Sequence, residues 1–493
     1  MENFIDEYYV VNPNYVLRHD EKRSIIVDKI HKNDQINSSD NFYSFIHPYH
    51  AEFLSLFNGS RTVYEAANHF SFLKKINLTD CVNFISKLIE NKNYYEISIC
   101  DSNLYFPQNL LVKKSNCDTF HNYDKNDFSY SSLDFKTKRL HFPLYITYMV
   151  NTKCTTDCIY CYADCRERKG RGISKKNLEK LFHEIDKYKL AYFNIMGGEF
   201  FLDNEWEFIV QELIKIKVTP IISTKMPISN KIISILEKNK INEIQISLDS
   251  INPSVLKKLL KLNGEKYIEA MKQTLNELTK ANFRIKINSV ITKYNDSVDD
   301  VKSLLDFLSE FSITQQIVIP AGFTLYKPSV FMPSVKNIQL IKDFLHSYKE
   351  NYKFSISLSD YAKKEEFFMK KTDKENAFNR RALCTGNINQ IYILPNGDVT
   401  LCEGLMFNKA FIMGNVNNKS LKEIWDENKC AYLMNQSVHK GSICGKCIDF
   451  ESCHSEKGVC WKLSILAYGD ENFHFPDPRC PKAPKLKNKL YIN

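Results

Sequence analysis

Two groups of cysteines dominate the chemistry this sequence offers. The first is Cys154-x3-Cys158-x2-Cys161, in the text CTTDCIYCYADC, with Cys165 just beyond it. The second is Cys384-x12-Gly397-x4-Cys402, then Cys444-x2-Cys447-x5-Cys453-x6-Cys460, then Cys480. Closely spaced thiolates are soft donors that favour iron–sulfur clusters or zinc over magnesium or calcium. Three of them can hold three irons of a [4Fe–4S] cluster and leave the fourth iron open to an outside ligand. With Cys165 as a fourth ligand the first group would equally make a structural zinc site, and reduced, inert thiols are the third reading. The chain has 15 cysteines, an odd number. A chain with no secretory signal does not need disulfides, so clustering of this kind points to metal binding or redox work. Cys430 stands apart, in the amphipathic stretch LKEIWDENKCAYLMNQ, and reads as a packed thiol.

Further residues that could do chemistry sit at the ends of apolar runs. Gly197-Gly198-Glu199 follows AYFNIM, Thr224 ends TPIIST, and Ser247 and Asp249 end EIQISLD. Taken singly, a Gly pair is a tight turn and an aspartate is a helix cap. The elements that position them are strand runs at 144–150, 191–196, 219–224, 243–249, 284–291 and 315–320, with helical patterns between. Such alternation predicts an α/β fold with a parallel sheet and right-handed crossovers. Six units are two short of a closed eight-fold barrel, so a partial barrel is expected, with its chemistry at the C-terminal strand ends.

The 493 residues are 43% hydrophobic and 25% charged, which suits a folded globular chain and excludes wholesale disorder. No run is long and apolar enough to span a membrane, and MENFIDEYYVVN lacks the basic and apolar regions of a secretory signal, so a cytoplasmic protein without membrane partners is expected. The net charge of +9 is spread along the chain rather than clustered, which argues against a nucleic-acid footprint. Residues 1–110 read as a small α+β unit resembling a winged helix, 111–140 as a polar linker, 141–350 as the barrel, 351–383 as a charged, helical bridge, and 384–493 as a cysteine-rich domain stabilised by ligated metal.

CxxxCxxC, with the aromatic Tyr160 before the third cysteine, resembles the signature of radical S-adenosylmethionine enzymes, and the strand-end motifs recur in the family's order. The resemblance implies a partial (β/α)6 barrel in which Cys154, Cys158 and Cys161 hold a [4Fe–4S] cluster. It further implies that Tyr160, Gly197, Gly198, Glu199, Thr224, Ser247 and Asp249 contact S-adenosylmethionine, Glu199 lying in the motif that meets its amino group. Phe200 stands where the family usually has proline, and Lys225 where asparagine is commoner. The implied chemistry is reductive cleavage of S-adenosylmethionine to a 5′-deoxyadenosyl radical that takes a hydrogen atom from the substrate.

The C-terminal pattern, with ILPNGDVTLCEG and GNVNNKSLKEIW, resembles the family's SPASM extension. That resemblance implies two auxiliary clusters, an outer one on Cys444, Cys447, Cys453 and Cys480 and an inner one on Cys384, Cys402 and Cys460, hence three [4Fe–4S] clusters in all. Six residues separate Cys453 from Cys460, where the family usually has three. The inner set is one ligand short, to be filled by a substrate thiolate, Cys430 or another group; zinc remains open for the tight Cys444/Cys447/Cys453/Cys460 set. LSLFNGSRTVYEAA resembles the helix–turn–helix of the peptide-recognition element fused to maturases of ribosomally made peptides. There a leader peptide adds as a strand to a sheet edge, here within residues 7–30. Together these resemblances imply a sactisynthase- or ranthipeptide-like maturase that forms a thioether cross-link in a cysteine-containing precursor peptide and receives electrons from a flavodoxin or ferredoxin. Carbon–carbon cross-linking, sulfatase formylglycine formation, or a non-catalytic zinc-binding regulator are the alternatives.

Overall fold

The computed structural model describes residues 4–484 except 29–42, 100, 118–119, 162, 164–169, 323–330, 360–374, 377, 382 and 407; Cys165 lies outside the described residues. The chain divides into two compact units, Met1–Leu144 with Lys187–Ala191, and Tyr145–Asp186 with Tyr192–Asn493.

In the first unit, β1 (Tyr8–Val11) is central to a sheet with β5 (Asn58–Thr62) and β8 (Leu111–Lys113). Strands β2 (Tyr15–His19), β3 (Ser24–Asp28) and β4 (Tyr43–Ile46) form a second antiparallel sheet, and β6 (Tyr94–Ile99) and β7 (Ser102–Pro107) a hairpin. Three helices, Pro48–Ser55, Val63–Lys74 and Leu78–Glu90, match the winged-helix-like expectation. The second starts sharply because Thr62 and Glu65 form a reciprocal capping box, which satisfies two otherwise orphaned amides. Its Phe70 stacks on Phe53 of the first at 4.5 Å, in a core that also holds Leu54, Ile85 and Phe106. The polar 111–140 stretch is tied down rather than loose. Buried Arg23 donates to the carbonyls of Asp134 and Arg139 at 3.0 and 3.1 Å, and Leu111–Lys113 pairs with β1.

In the second unit, seven strands run parallel in chain order: β9 (Tyr145–Met149), β10 (Tyr192–Met196), β11 (Ile221–Thr224), β12 (Glu243–Ser247), β13 (Arg284–Ile291), β14 (Ile313–Pro320) and β15 (Ser355–Leu358). The first six are the predicted ones. The seventh corrects the helical reading of 351–383: SISL is too short and too polar to declare itself, but pairing with β14 at Gln315–Val318 makes it a strand. On the other edge β16 (Gln390–Ile393) pairs parallel with β9, and β17 (Asp398–Thr400) and β18 (Ile412–Asn415) continue the sheet antiparallel. Among the described residues the sheet does not close, and the cysteine-rich segment extends it.

Alternation sorts the barrel residues. Ile146, Phe193, Ile222, Ile244, Ile246, Ile285 and Ile287 are buried on one face. Thr147, Asn194, Gln245, Asn288 and Gln315 lie on the other. Among the described residues no helix is long and apolar enough to cross a membrane.

Candidate functional site

The loop after β9 carries the first three thiols. Thr156 Oγ1 sits 3.2 Å from Cys154 Sγ and 3.3 Å from Cys158 Sγ, drawing these two sulfurs to one side of the loop. The loop is fastened at its middle, where Asp157 and Ile159 donate to Leu260 and Leu259 at 3.0 Å. Cys161 follows closely, its amide donating to the Cys158 carbonyl at 3.2 Å. Burial pushes the Cys158 thiol up to about 11, an effect that the nearby Lys225 ammonium opposes.

Beside this loop the strand ends converge. Asn151, fully buried, donates to the Glu199 carbonyl at 3.0 Å, and its own carbonyl accepts from Gly198 at 2.8 Å. A Cβ on Gly197 would lie 2.8 Å from the Asn151 carbonyl, and one on Gly198 would run into that of Lys153. The glycine pair is thus required by close approach of two backbones. Glu199 is 2% exposed. Its carboxylate accepts from Thr224 Oγ1 at 2.6 Å and from the amides of Lys225 and Met226 at 3.1 and 3.2 Å. Burial raises its pKa and these three donors pull it back. Glu199 and Thr224 thus brace each other, tying the end of β10 to the end of β11.

Asp249 is the second buried carboxylate. It accepts from the Tyr160 hydroxyl, from Lys225 Nζ at 3.0 Å, and from the Val290 amide at 2.9 Å. Lys225 lies 5.7 Å from the Tyr160 ring centroid. Burial opposes the ammonium, yet Asp249 and the thiols of Cys158 and Cys154 hold its pKa above the ordinary value. The Ser247 hydroxyl accepts from Gln245 at 3.0 Å, and its carbonyl meets the Tyr267 hydroxyl at 3.4 Å. Sequence reading missed Asn151 and Tyr267, whose hydroxyl donates to the Lys225 carbonyl at 2.8 Å. Asn151 had a legible signal, a polar residue just past a strand; Tyr267, inside a helix, had none.

The C-terminal thiols form two sets. The β16–β17 hairpin turns at Gly397, with φ of +89°, and so returns Cys402 toward Cys384. Burial raises both thiols, and each is raised further by Cys460. The extra residues before Cys460 are absorbed as a π-helical turn, Ser452–Lys457, ending at Gly458 in the left-handed conformation with φ of +73°. A Cβ there would lie 2.7 Å from that of Cys384, so the glycine lets the two segments meet. Cys444, Cys447, Cys453 and Cys480 make the second set: burial and the other three cysteines push Cys444 up to about 12. Cys430, 1% exposed, shares a cavity with Cys384 and His454.

Among the described residues no three His, Cys, Asp or Glu side chains converge closely enough to hold a single metal ion. A tetrahedral zinc draws its sulfurs to within ~2.3 Å of one point. The donors of all three groups are soft thiols, the ligand type of iron–sulfur clusters as well as of zinc.

Comparison with known proteins gives the class. Residues 148–308 match the model of the radical SAM superfamily, and 384–448 that of the SPASM iron–sulfur cluster-binding domain. The chain thus carries a radical SAM domain followed by a SPASM iron–sulfur cluster-binding domain. Its relatives include mycofactocin maturase MftC of Mycolicibacterium smegmatis, 21% identical over 70% of this chain and 86% of that protein. A probable GTP 3′,8-cyclase of Pyrobaculum aerophilum is 22% identical over 37% of this chain and 62% of that protein. The fold is shared with Streptococcus suis SuiB bound to S-adenosylmethionine, at 14% identity and a TM-score of 0.62 over 96% of this chain and 99% of that one. SuiB bound to its precursor peptide SuiA also has a TM-score of 0.62, at 17% identity and the same coverage.

Proposed function

We propose that this enzyme is a maturase of a ribosomally made precursor peptide and that it closes a thioether between a cysteine sulfur and a peptide carbon. The observation that carries the reading is the joining, in one chain, of the three-thiol loop, the two C-terminal thiol sets and a winged-helix-like unit. Mycofactocin maturase MftC supports the peptide assignment, as does SuiB, whose structure with a precursor peptide shares this fold.

Cys154, Cys158 and Cys161 would hold the first [4Fe–4S] cluster. Cys444, Cys447, Cys453 and Cys480 would hold the outer auxiliary cluster, and Cys384, Cys402 and Cys460 the inner one. When bound, the first cluster and S-adenosylmethionine supply a one-electron cleavage that yields a 5′-deoxyadenosyl radical. The residues around them bind and orient. Gly197 and Gly198 let the β10 end pack tightly beside the thiol loop, Glu199 offers a braced carboxylate to an ammonium group, and Tyr160, Thr224, Ser247 and Asp249 supply polar contacts to the nucleoside. Lys225, paired with Asp249, favours the thiolate form of Cys158 against the effect of burial. Deeper in the barrel, Thr147 Oγ1, Asn194 Oδ1, Asn288 Oδ1 and Gln315 Oε1 are buried with no hydrogen-bond partner among the described residues. Such unfilled hydrogen-bonding capacity suits a polar, amide-rich substrate better than an apolar one.

The leader would be taken by the first unit. Among the described residues within 7–30, β1 and β3 are central strands and β2 is an edge, with its Leu17 amide donating to the Tyr123 hydroxyl at 3.1 Å; the other edge of that sheet is β4. Tyr64, Phe72 and Leu73, 47, 83 and 43% exposed on the helix Val63–Lys74, offer apolar contacts that suit a peptide and not a phosphate backbone. Electrons would come from a flavodoxin or ferredoxin.

Co-expression with a small cysteine-containing peptide encoded beside the gene tests the proposal. Loss of two hydrogens per cross-link, with alkylation-resistant cysteines, is the expected mass signature. An unmodified peptide alongside deoxyadenosine release would leave the radical chemistry standing and overturn the peptide assignment. A carbon–carbon link would retain a free thiol.

A further inference from the structure

A charged side chain, the guanidinium of Arg381, is buried directly against one of the C-terminal thiols. Arg381, three positions ahead of Cys384, is 7% exposed. Its Nη2 lies 3.3 Å from Cys453 Sγ and 3.2 Å from the Cys453 carbonyl. Its Nε donates to the Gly458 carbonyl at 3.1 Å and its Nη1 to that of Phe378 at 2.8 Å, while the guanidinium lies 3.7 Å from the Phe378 ring centroid. Every nitrogen of the fork is engaged, so its orientation is fixed. Among the described residues no carboxylate forms an ion pair with it. The neighbouring buried Asp477 is already paired with Arg479 at 2.8 Å.

The contrast with Cys447 is informative. That sulfur faces Lys482 Nζ at 3.6 Å, but the Lys482 side chain is 46% exposed and also meets Asp449 at 2.6 Å. Solvent and the carboxylate blunt its field. Arg381 is buried and, among the described residues, has no carboxylate partner; its field at Cys453 exceeds the opposing one of Asp477.

We propose that Arg381 is a positioning residue of the outer auxiliary site: it fixes the Cys453 corner and, by placing a buried positive donor on that thiolate, raises the reduction potential of the cluster held there. The inference rests on the reading that Cys444, Cys447, Cys453 and Cys480 hold that cluster. Reduction adds negative charge to a cluster and its sulfurs, so a cation and an N–H donor at a ligand sulfur stabilise the reduced form. Because the same guanidinium grips the Gly458 carbonyl, it also couples this corner to the turn that brings Cys460 to Cys384.

The test uses the full-length, anaerobically reconstituted protein carrying Cys154→Ala, Cys158→Ala and Cys161→Ala, so that only auxiliary clusters contribute. Iron content is measured, and a redox titration is followed by electron paramagnetic resonance, in this background and with Arg381→Lys or Arg381→Gln added. The expected result is unchanged iron with one of the two auxiliary waves moved to more negative potential, further for Arg381→Gln than for Arg381→Lys. Loss of iron in Arg381→Gln but not in Arg381→Lys would equally show that the charge at Cys453 is required. Unchanged iron and potentials in both variants would overturn the proposal, and so would equal loss of iron in both, which would assign the effect to packing of the planar group. Failure of the underlying reading looks different: the background protein would then contain no second auxiliary wave, and Cys453→Ala would leave its iron unchanged.

Discussion

Lys225 and Asp249, at the C-terminal ends of neighbouring strands β11 and β12, form a buried ion pair with Nζ 3.0 Å from Oδ2. The Asp249 side chain is inaccessible to solvent and that of Lys225 is 15% exposed. Tyr160 donates to the same carboxylate oxygen, so the pair links the thiol loop to two strand ends. Where the family commonly has asparagine, this chain places a cation within electrostatic reach of Cys158.

Lys225→Met removes one partner and leaves Asp249 charged and buried. Breaking a buried pair in this way costs about 3 kcal/mol or more. Urea denaturation of the apoprotein should show a loss of that size, and S-adenosylmethionine binding by equilibrium dialysis should weaken in the reconstituted protein. Unchanged stability would mean that Asp249 is adequately held by Tyr160 and the Val290 amide alone.

Gly198→Ala should be more damaging than Gly197→Ala, because its new methyl group meets the Lys153 carbonyl. The β10 end would be forced away from the loop carrying Cys154. After reconstitution, the variant should lose about one third of the total iron if three equal clusters are present, while the auxiliary signals persist. Full iron content in Gly198→Ala would show that the two backbones can separate at little cost.

His50 gives a pH dependence. Its pKa falls from 6.5 to about 3, chiefly through burial and then through His47. It stacks on Phe84 at 5.0 Å. Below pH 6.5 the unfolded chain takes up a proton that the folded chain refuses until about pH 3, so stability falls with acidification across that window. Between pH 7 and 5 the loss should be about 2 kcal/mol from this residue. The difference in urea midpoint between those two pH values should shrink in His50→Phe; an undiminished difference would assign the acid sensitivity elsewhere.

Cys430→Ser tests the fourth position of the inner site. Burial alone pushes this thiol up to about 12. A packed thiol predicts unchanged iron and auxiliary spectra, at a stability cost of about 1–2 kcal/mol for a buried hydroxyl. A changed inner-cluster spectrum would make Cys430 its ligand.

Much of the site was legible because its parts are local. Cys154, Cys158 and Cys161 share one loop, so their spacing alone marks them as a group. The six predicted barrel strands were legible because they are β-rich apolar runs between helical stretches. β15 was not, because Ser355–Leu358 becomes a strand only by pairing with β14. Tyr267 and Arg381 were invisible for a related reason: a tyrosine in a helix and an arginine in a charged stretch become site residues only when folding brings Lys225 or Cys453 to them.

The sequence by itself determined the spacing of the cysteines, the order of the strand-end motifs and the parallel architecture, since spacing and side-chain periodicity are properties of short segments. Only the tertiary structure decided which distant groups share a site. It joins Cys384, Cys402 and Cys460 across a hairpin and a π-helical turn, braces Glu199 against Thr224, and buries Lys225 on Asp249. Those pairings depend on which strand ends lie side by side and on how much water they exclude, and neither is written in any local run of residues.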